Sequence, residues 1–355
     1  MTTFKRYFVY QLKQSLLRTL VFTVLTVMIC MSITNSYISP ELDMHKSTGI
    51  EMLATFLGIF CCLIPILELS GFKNRRNLDT LYFFPIKRER MALAHYLAGA
   101  CQVLVIYTAS FVAVWLTLAI KTSCFSLEYM PLYYVLSLVA GAVLYSIVCF
   151  IYSEANSVAD GVVFVALWFF AVYVVMFCLR TYVLRSFLTG TDIWLDTSSL
   201  SVWWPLYAPL NNLTVIFQDL IETNQQSYPY DYTASYADMY LSRAYMFAVW
   251  ALVGALAAIG FFVRFKRKGA HMAGEVSNSI FGYKLLIPLY GYALLLMYSD
   301  LDIMTILIFA MMLIGYFIYR RGFKIKKSDI IFIACGIVPV IASAILNSLE
   351  HIVLD

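Results

Sequence analysis

Nine stretches of roughly twenty apolar residues follow one another along the chain, at 20–38, 49–71, 91–120, 131–152, 157–179, 243–263, 280–298, 302–319 and 330–349. About twenty such residues carry a helix across the roughly 30 Å hydrocarbon core of a bilayer. Lys284 and Pro288 interrupt the seventh stretch, so eight spans is the alternative count. Apolar residues make up 62% of the 355 and charged ones 13%, about half the charge share of an ordinary soluble domain. That is too little polar surface to cover a water-soluble globule, and too much apolar surface for a disordered chain. The expected fold class is all-α, a polytopic helical membrane protein.

Charge orients these spans, because Lys and Arg collect on cytoplasmic loops. With the N-terminus inside, every one of the 25 basic residues falls on the inner side except Lys46, Lys121, Arg180, Arg185 and Arg243. The acidic residues run the other way, and only Glu68, Asp79, Glu89, Glu154, Asp160, Glu275 and Asp329 of the 21 fall inside. The expected topology has a cytoplasmic N-terminus and an outer C-terminus. Ahead of the first span, Phe4, Phe8, Leu12 and Leu16 recur every four residues with Arg6 and Lys13 opposite. Residues 1–19 are read as a short interfacial helix. Without a small-residue cleavage site after the apolar run, no signal peptide is expected.

Two segments depart from a plain stack of helices. Between spans two and three, residues 72–90 read FKNRRNLDTLYFFPIKRER. A short helix is expected over 74–83, ended by Pro85 and followed by the basic cluster Lys87, Arg88 and Arg90. Such a cluster grips anionic lipid headgroups or docks a rigid lever into another protein. The second segment, 180–242, is outer and rich in Trp and Tyr, which favour the membrane–water interface. It serves either as an aromatic anchor or as a substrate gate.

Catalytic and metal chemistry is not indicated. The eight cysteines form no C-x-x-C pair, and the four histidines are scattered without a second ligand at metal spacing. H-E-x-x-H is absent, and Asp160 has no second intramembrane aspartate to complete a dyad. The phosphate loop G-x-x-x-x-G-K-[ST] does not occur, so any ATP hydrolysis belongs to another chain. No nucleic-acid partner is indicated. Glu68, Glu154 and Asp160 lie close enough to the inner interface to be solvated or paired with loop arginines. The lack of a central charge relay speaks against ion coupling.

From Leu78 to Met91 the loop reads L-D-T-L-Y-F-F-P-I-K-R-E-R-M. It resembles the loop between spans two and three of ABC exporter permeases of the second type, where a short helix ends in Leu-Pro-hydrophobic-[Ser/Thr/Lys]-Arg. Phe84 stands at the usual Leu, Pro85, Ile86, Lys87 and Arg88 fit, and Ala98-Gly99 fits a small pair further on; His95 stands where many members have a lysine. Residues 264–274, R-F-K-R-K-G-A-H-M-A-G, are similar to the basic run and Glu-x-Ala-Gly that close the sixth span of many members, with His271 replacing the Glu. The resemblance covers about residues 1–275.

It implies a half-transporter: a six-span exporter core (20–275, with coupling loop 72–90 and outer segment 180–242) plus about three extra C-terminal spans (276–355). The expected partners are a cytoplasmic ABC ATPase, which would carry ATP and Mg, a second permease copy or paralogue, and membrane lipid. No cofactor or enzymatic activity of its own is expected. The coupling residues implied are Leu78, Asp79, Leu81, Tyr82, Phe83, Pro85, Lys87, Arg88 and Glu89, and the implied location is the bacterial plasma membrane. A hydrophobic or amphiphilic substrate (antibiotic, peptide or lipid) would pass between two permeases, lined by spans one, two and five. The alternative is a non-ABC secondary transporter or a structural membrane partner with a lipid-binding loop.

Overall fold

The structure is a computed structural model of the chain and describes residues 3–37, 48–74, 86–121, 130–178, 233–267, 272–297, 303–320 and, beyond these, 322, 323, 327, 329–331 and 333. Among the described residues there are eight α-helices and no strand: α1 (Thr3–Tyr37), α2 (Thr48–Leu69), α3 (Arg88–Lys121), α4 (Met130–Glu154), α5 (Val158–Cys178), α6 (Thr233–Arg267), α7 (Leu285–Met297) and α8 (Ile303–Arg320). Five contain segments long and apolar enough to cross a membrane: Thr3–Asn35, Met52–Lys73, Arg88–Ile120, Met130–Glu154 and Phe247–Arg267. Three shorter apolar helices cover Val158–Ala171, Ile280–Leu295 and Ile306–Arg320. This is the architecture of a multi-pass helical membrane protein, as in-bilayer backbone must satisfy its own hydrogen bonds.

Eight of the nine expected spans thus coincide with helices, and the ninth lies mostly outside the described residues. The first expected span and the segment before it form one unbroken helix. At 1.5 Å per residue, its 35 residues extend about 52 Å, well beyond a bilayer core. Also outside the described residues are the coupling-loop positions Leu78, Asp79, Leu81, Tyr82, Phe83 and Pro85, and most of the outer segment, 179–232.

The helices group into two compact units, Met1–Ser153 with Tyr207–His271, and Glu154–Leu206 with Met272–Asp355. In the first, α3 packs along both α1 and α2. A buried stripe of Leu53, Leu57, Cys61 and Ile64 faces inward from α2 at helical spacing. Hydroxyls join α3 to α4, with Tyr107 on Ser137 at 2.6 Å, Tyr96 on Ser146 at 2.7 Å and Thr108 on Tyr134 at 2.7 Å. The opposite faces stay apolar and exposed, as on α1 (Leu17, Leu20, Val24, Met28) and α6 (Val249, Leu252, Leu256, Ile259). Such faces suit lipid.

The second unit holds α5, α7 and α8. The interruption expected at Lys284 and Pro288 is real: a wide turn, Ile280–Lys284, precedes α7. Its Gly282 passes so close to Phe164 that a Cβ there would lie 2.4 Å from the ring. Pro288 has no N–H to give the Lys284 carbonyl four residues back. The buried Tyr316 hydroxyl donates to that carbonyl instead, at 2.9 Å. Tyr292, Leu295, Ile308 and Met312 then close the α7–α8 core.

Candidate functional site

The most concentrated chemistry among the described residues is a polar cluster at the junction of α1, α2 and α3. Its centre is Glu68, whose side chain is only 1% exposed. One carboxylate oxygen, Oε1, accepts from Arg18 Nη2 and, at 2.8 Å, from Gln102 Nε2. The other, Oε2, accepts from Gln11 Nε2 at 2.9 Å and from His95 Nδ1 at 3.3 Å. Arg18 also donates to Gln102 Oε1 at 2.9 Å. On its other side, His95 Nε2 is hydrogen-bonded to the Tyr7 hydroxyl at 2.9 Å.

Helical spacing explains why these groups meet. Tyr7, Gln11 and Arg18 differ by four and eleven residues, which puts them on one face of α1. On α3, His95 and Gln102 are two turns apart on one face, with Ala98 and Gly99 between them. The small pair makes the room that Glu68 fills: a Cβ on Gly99 would sit 3.3 Å from Glu68 Cγ and 2.2 Å from the Tyr145 hydroxyl. That hydroxyl in turn donates to the Tyr96 carbonyl at 2.9 Å.

Four donors fill the roughly four acceptor positions of one carboxylate. The cluster is therefore a clasp that ties three helices, and it leaves no acceptor open to a ligand. The sequence reading expected Glu68 to be solvated or paired with loop arginines; the arginine it meets comes from α1. Tyr7, Gln11, Arg18 and Gln102 were not singled out from sequence. The available signal was their recurrence at helical spacing within apolar surroundings.

From the clasp, a line of rings leads to the helix ends. Phe72, just after α2, sets its edge against His95 (4.8 Å between centroids) and against Phe265 of α6 (5.1 Å). Arg88, the first residue of α3, places its guanidinium 5.6 Å from the Phe265 ring. Glu89 meets Lys266 at 3.7 Å, both side chains more than half exposed. Lys87 is exposed just ahead of α3. Of the nine expected coupling residues, the structure brings these three, Lys87, Arg88 and Glu89, to one end of the first unit, beside the end of α6. Tyr7 of α1 and Lys73, whose Nζ donates to the Tyr152 carbonyl at the end of α4, lie at the same end.

No family model and no curated protein matches the chain.

In the second unit, Glu154 and Asp160 accept hydrogen bonds from serine and tyrosine hydroxyls. Ser279 donates to Glu154 at 2.5 Å, while Ser277 (2.7 Å) and Tyr283 (3.1 Å) donate to Asp160. These bonds fasten the turn between α4 and α5 to the strand-like segment ahead of α7. Asn156 adds to it, its N–H donating to Ser277 Oγ at 2.8 Å and its carbonyl accepting from Gly274 at 2.9 Å. Gly274 has φ of 77°, in the left-handed region where glycine alone is free of strain. Among the described residues no group of three His, Cys, Asp or Glu is placed to hold a metal.

Proposed function

We propose that the chain is the membrane-spanning permease subunit of an ATP-driven ABC exporter of bacterial plasma membranes. It would move a hydrophobic or amphiphilic substrate (antibiotic, peptide or lipid) at the interface with a second permease, with ATP hydrolysed by a separate subunit. The observation that carries the reading is the loop 78–91, with its Pro85-Ile86-Lys87-Arg88-Glu89 run between two spans. A spatial fact supports it. The two stretches that bear the resemblance are 170 or more residues apart in sequence, yet Glu89 pairs with Lys266 and Arg88 lies over Phe265. Force applied to the loop would enter α3 directly, and the clasp around Glu68 would pass it to α1 and α2.

Deleting residues 79–88 is expected to abolish capture of a co-expressed ABC ATPase, while membrane insertion persists. Exchanging Lys87, Arg88 and Glu89 for serine, which keeps the loop length, should weaken the same capture. Undiminished capture and undiminished ATPase stimulation in both variants would sink the proposal. A second reading, the secondary transporter, draws on Glu68 with Arg18 and His95 inside the helix bundle, since ionisable groups there often mark ion pathways. Transport that survives ATP depletion and stops when the ion gradient is dissipated would select it.

A further inference from the structure

Between the first turns of α3 and the last turns of α6 lies an open groove of about 420 Å³, lined by Glu89, Arg90, Leu93, Phe262, Val263 and Lys266. Its size falls within the roughly 300–1,000 Å³ of small-ligand clefts. Its lining is divided. Arg90 and Lys266 form a cationic rim, and Leu93, Phe262 and Val263 form an apolar floor. From that floor the exposed stripe of α6 continues through Ile259, Leu256 and Leu252, with exposed Leu97 beginning the matching path on α3. We infer that this groove is a binding site for a single anionic phospholipid, its phosphate headgroup between Arg90 and Lys266 and its acyl chains along α3 and α6.

Charge complementarity decides the occupant. Around the groove, Lys87, Arg90 and Arg267 have no carboxylate partner among the described residues, and Lys266 has only the long, exposed contact with Glu89. Among the described residues one carboxylate stands against these four cations, an excess of positive charge that favours an anionic ligand. A soluble anion would satisfy the rim but leave the apolar floor and its continuing stripe in contact with water or unmatched lipid. An anionic lipid fits both, because headgroup and chains are joined at the depth where the rim ends and the stripe begins. Basic residues at a helix end are the usual complement of such headgroups. The inference does not depend on the exporter reading, since the groove is made by α3 and α6 alone.

Purified full-length protein in a neutral detergent, titrated with phosphatidylglycerol or phosphatidylcholine and followed by native mass spectrometry, tests it. Phosphatidylglycerol is expected to bind more tightly. Each basic side chain near an anionic lipid contributes about fivefold, so Arg90→Gln with Lys266→Gln should weaken phosphatidylglycerol about twenty-five-fold and phosphatidylcholine, whose choline cation offsets its phosphate, much less. Arg6→Gln with Lys13→Gln removes the same charge from exposed sites on α1 and should change affinity less than twofold. Leu93→Trp keeps the rim and fills the floor, and should weaken both lipids. All these positions are exposed or half-buried, and an unchanged melting temperature in each variant verifies folding. Equal losses in the two double variants would overturn the site in favour of diffuse surface charge. Displacement of lipid by millimolar inorganic phosphate would overturn the lipid as occupant. So would unchanged lipid binding combined with lost ATPase capture, which would make the groove a protein dock.

Discussion

At the scale of single residues, Glu68 and Gly99 carry the tightest constraints. Replacing one member of a buried ion pair leaves an uncompensated charge and costs about 3–5 kcal/mol, whereas replacing both with apolar residues is often neutral. Arg18 and Glu68 form such a pair, although Arg18 is 30% exposed and can turn partly to the headgroup region. Glu68→Met is therefore expected to cost about 3 kcal/mol and Arg18→Met somewhat less, while the double variant costs clearly less than the sum of the two. Denaturant titration in detergent micelles gives the coupling, and strictly additive losses would show that the pair is not the core of the clasp. Gly99 makes a second case. Alanine there must displace the Tyr145 hydroxyl, an overpacking expected to cost about 1–3 kcal/mol. Tyr145→Phe removes the atom in the way, so Gly99→Ala with Tyr145→Phe should recover most of the loss in thermal unfolding. If Gly99→Ala proves neutral alone, the close approach is not limiting. The small pair Ala98-Gly99 was visible in the sequence; that it makes room for a carboxylate from another helix was not, because the partner lies 31 residues away and its direction depends on how α2 packs. Tyr7, Gln11 and Arg18 were obscured differently. The apolar stripe Phe4, Phe8, Leu12 and Leu16 read as the lipid side of an interfacial helix and said nothing of a packed face, which holds the buried Tyr7 and Ser15 while Leu16 is exposed. In a bilayer an apolar stripe can face lipid at no cost, so hydrophobic periodicity no longer identifies the side that packs.

Among the elements, the apolar stretches were read directly because their lengths match what a bilayer demands, and eight of nine coincide with helices. What length could not show is where a helix begins. The chain runs helically from Thr3 through the first span, and α6 starts at Thr233, ten residues before the apolar stretch. Polar helical turns outside a membrane core leave no hydropathy signal. The seventh stretch is the instructive exception, since Lys284 and Pro288 marked it as irregular and the structure supplies the compensation. Tyr316 on α8 gives the Lys284 carbonyl the hydrogen bond that Pro288 cannot. Tyr316→Phe is expected to cost about 1–2 kcal/mol by removing the hydroxyl's hydrogen bond to the part-buried Lys284 carbonyl. In a Pro288→Ala background the new N–H reaches the same carbonyl through the regular helical bond, and the cost of Tyr316→Phe should fall below half. The comparison is read from thermal unfolding of the four proteins. Equal costs in both backgrounds would mean that the hydroxyl packs rather than substitutes for the missing donor.

For the whole molecule, sidedness links the charge pattern to the proposed coupling. In the first unit the starts of α1 and α3 and the ends of α2, α4 and α6 share one end, as the contacts of Tyr7, Phe72, Lys73, Arg88 and Lys266 show. That arrangement agrees with alternating spans, and under the proposal the excess of Lys and Arg would place this end in the cytoplasm. Cysteine chemistry checks the assignment without altering the helices. Cys124 falls between α3 and α4 in the sequence, on the side that this orientation would put outside. Cys30, Cys61 and Cys149 are buried, and Cys101 is exposed on α3 but about 20 Å from its first residue, at 1.5 Å per residue, a depth that a bilayer core would cover. A membrane-impermeant maleimide added to intact cells is thus expected to modify Cys124 and spare Cys101 until detergent removes the bilayer, with the sites mapped by peptide mass spectrometry. A cysteine introduced as Lys5→Cys should be protected until the membrane is opened. The reverse pattern, Lys5→Cys labelled and Cys124 protected, would put residues 72–90 outside the cell. No cytoplasmic ATPase could then reach the loop, and the exporter proposal would fail together with the orientation, whereas the lipid groove between α3 and α6 would simply face the other leaflet.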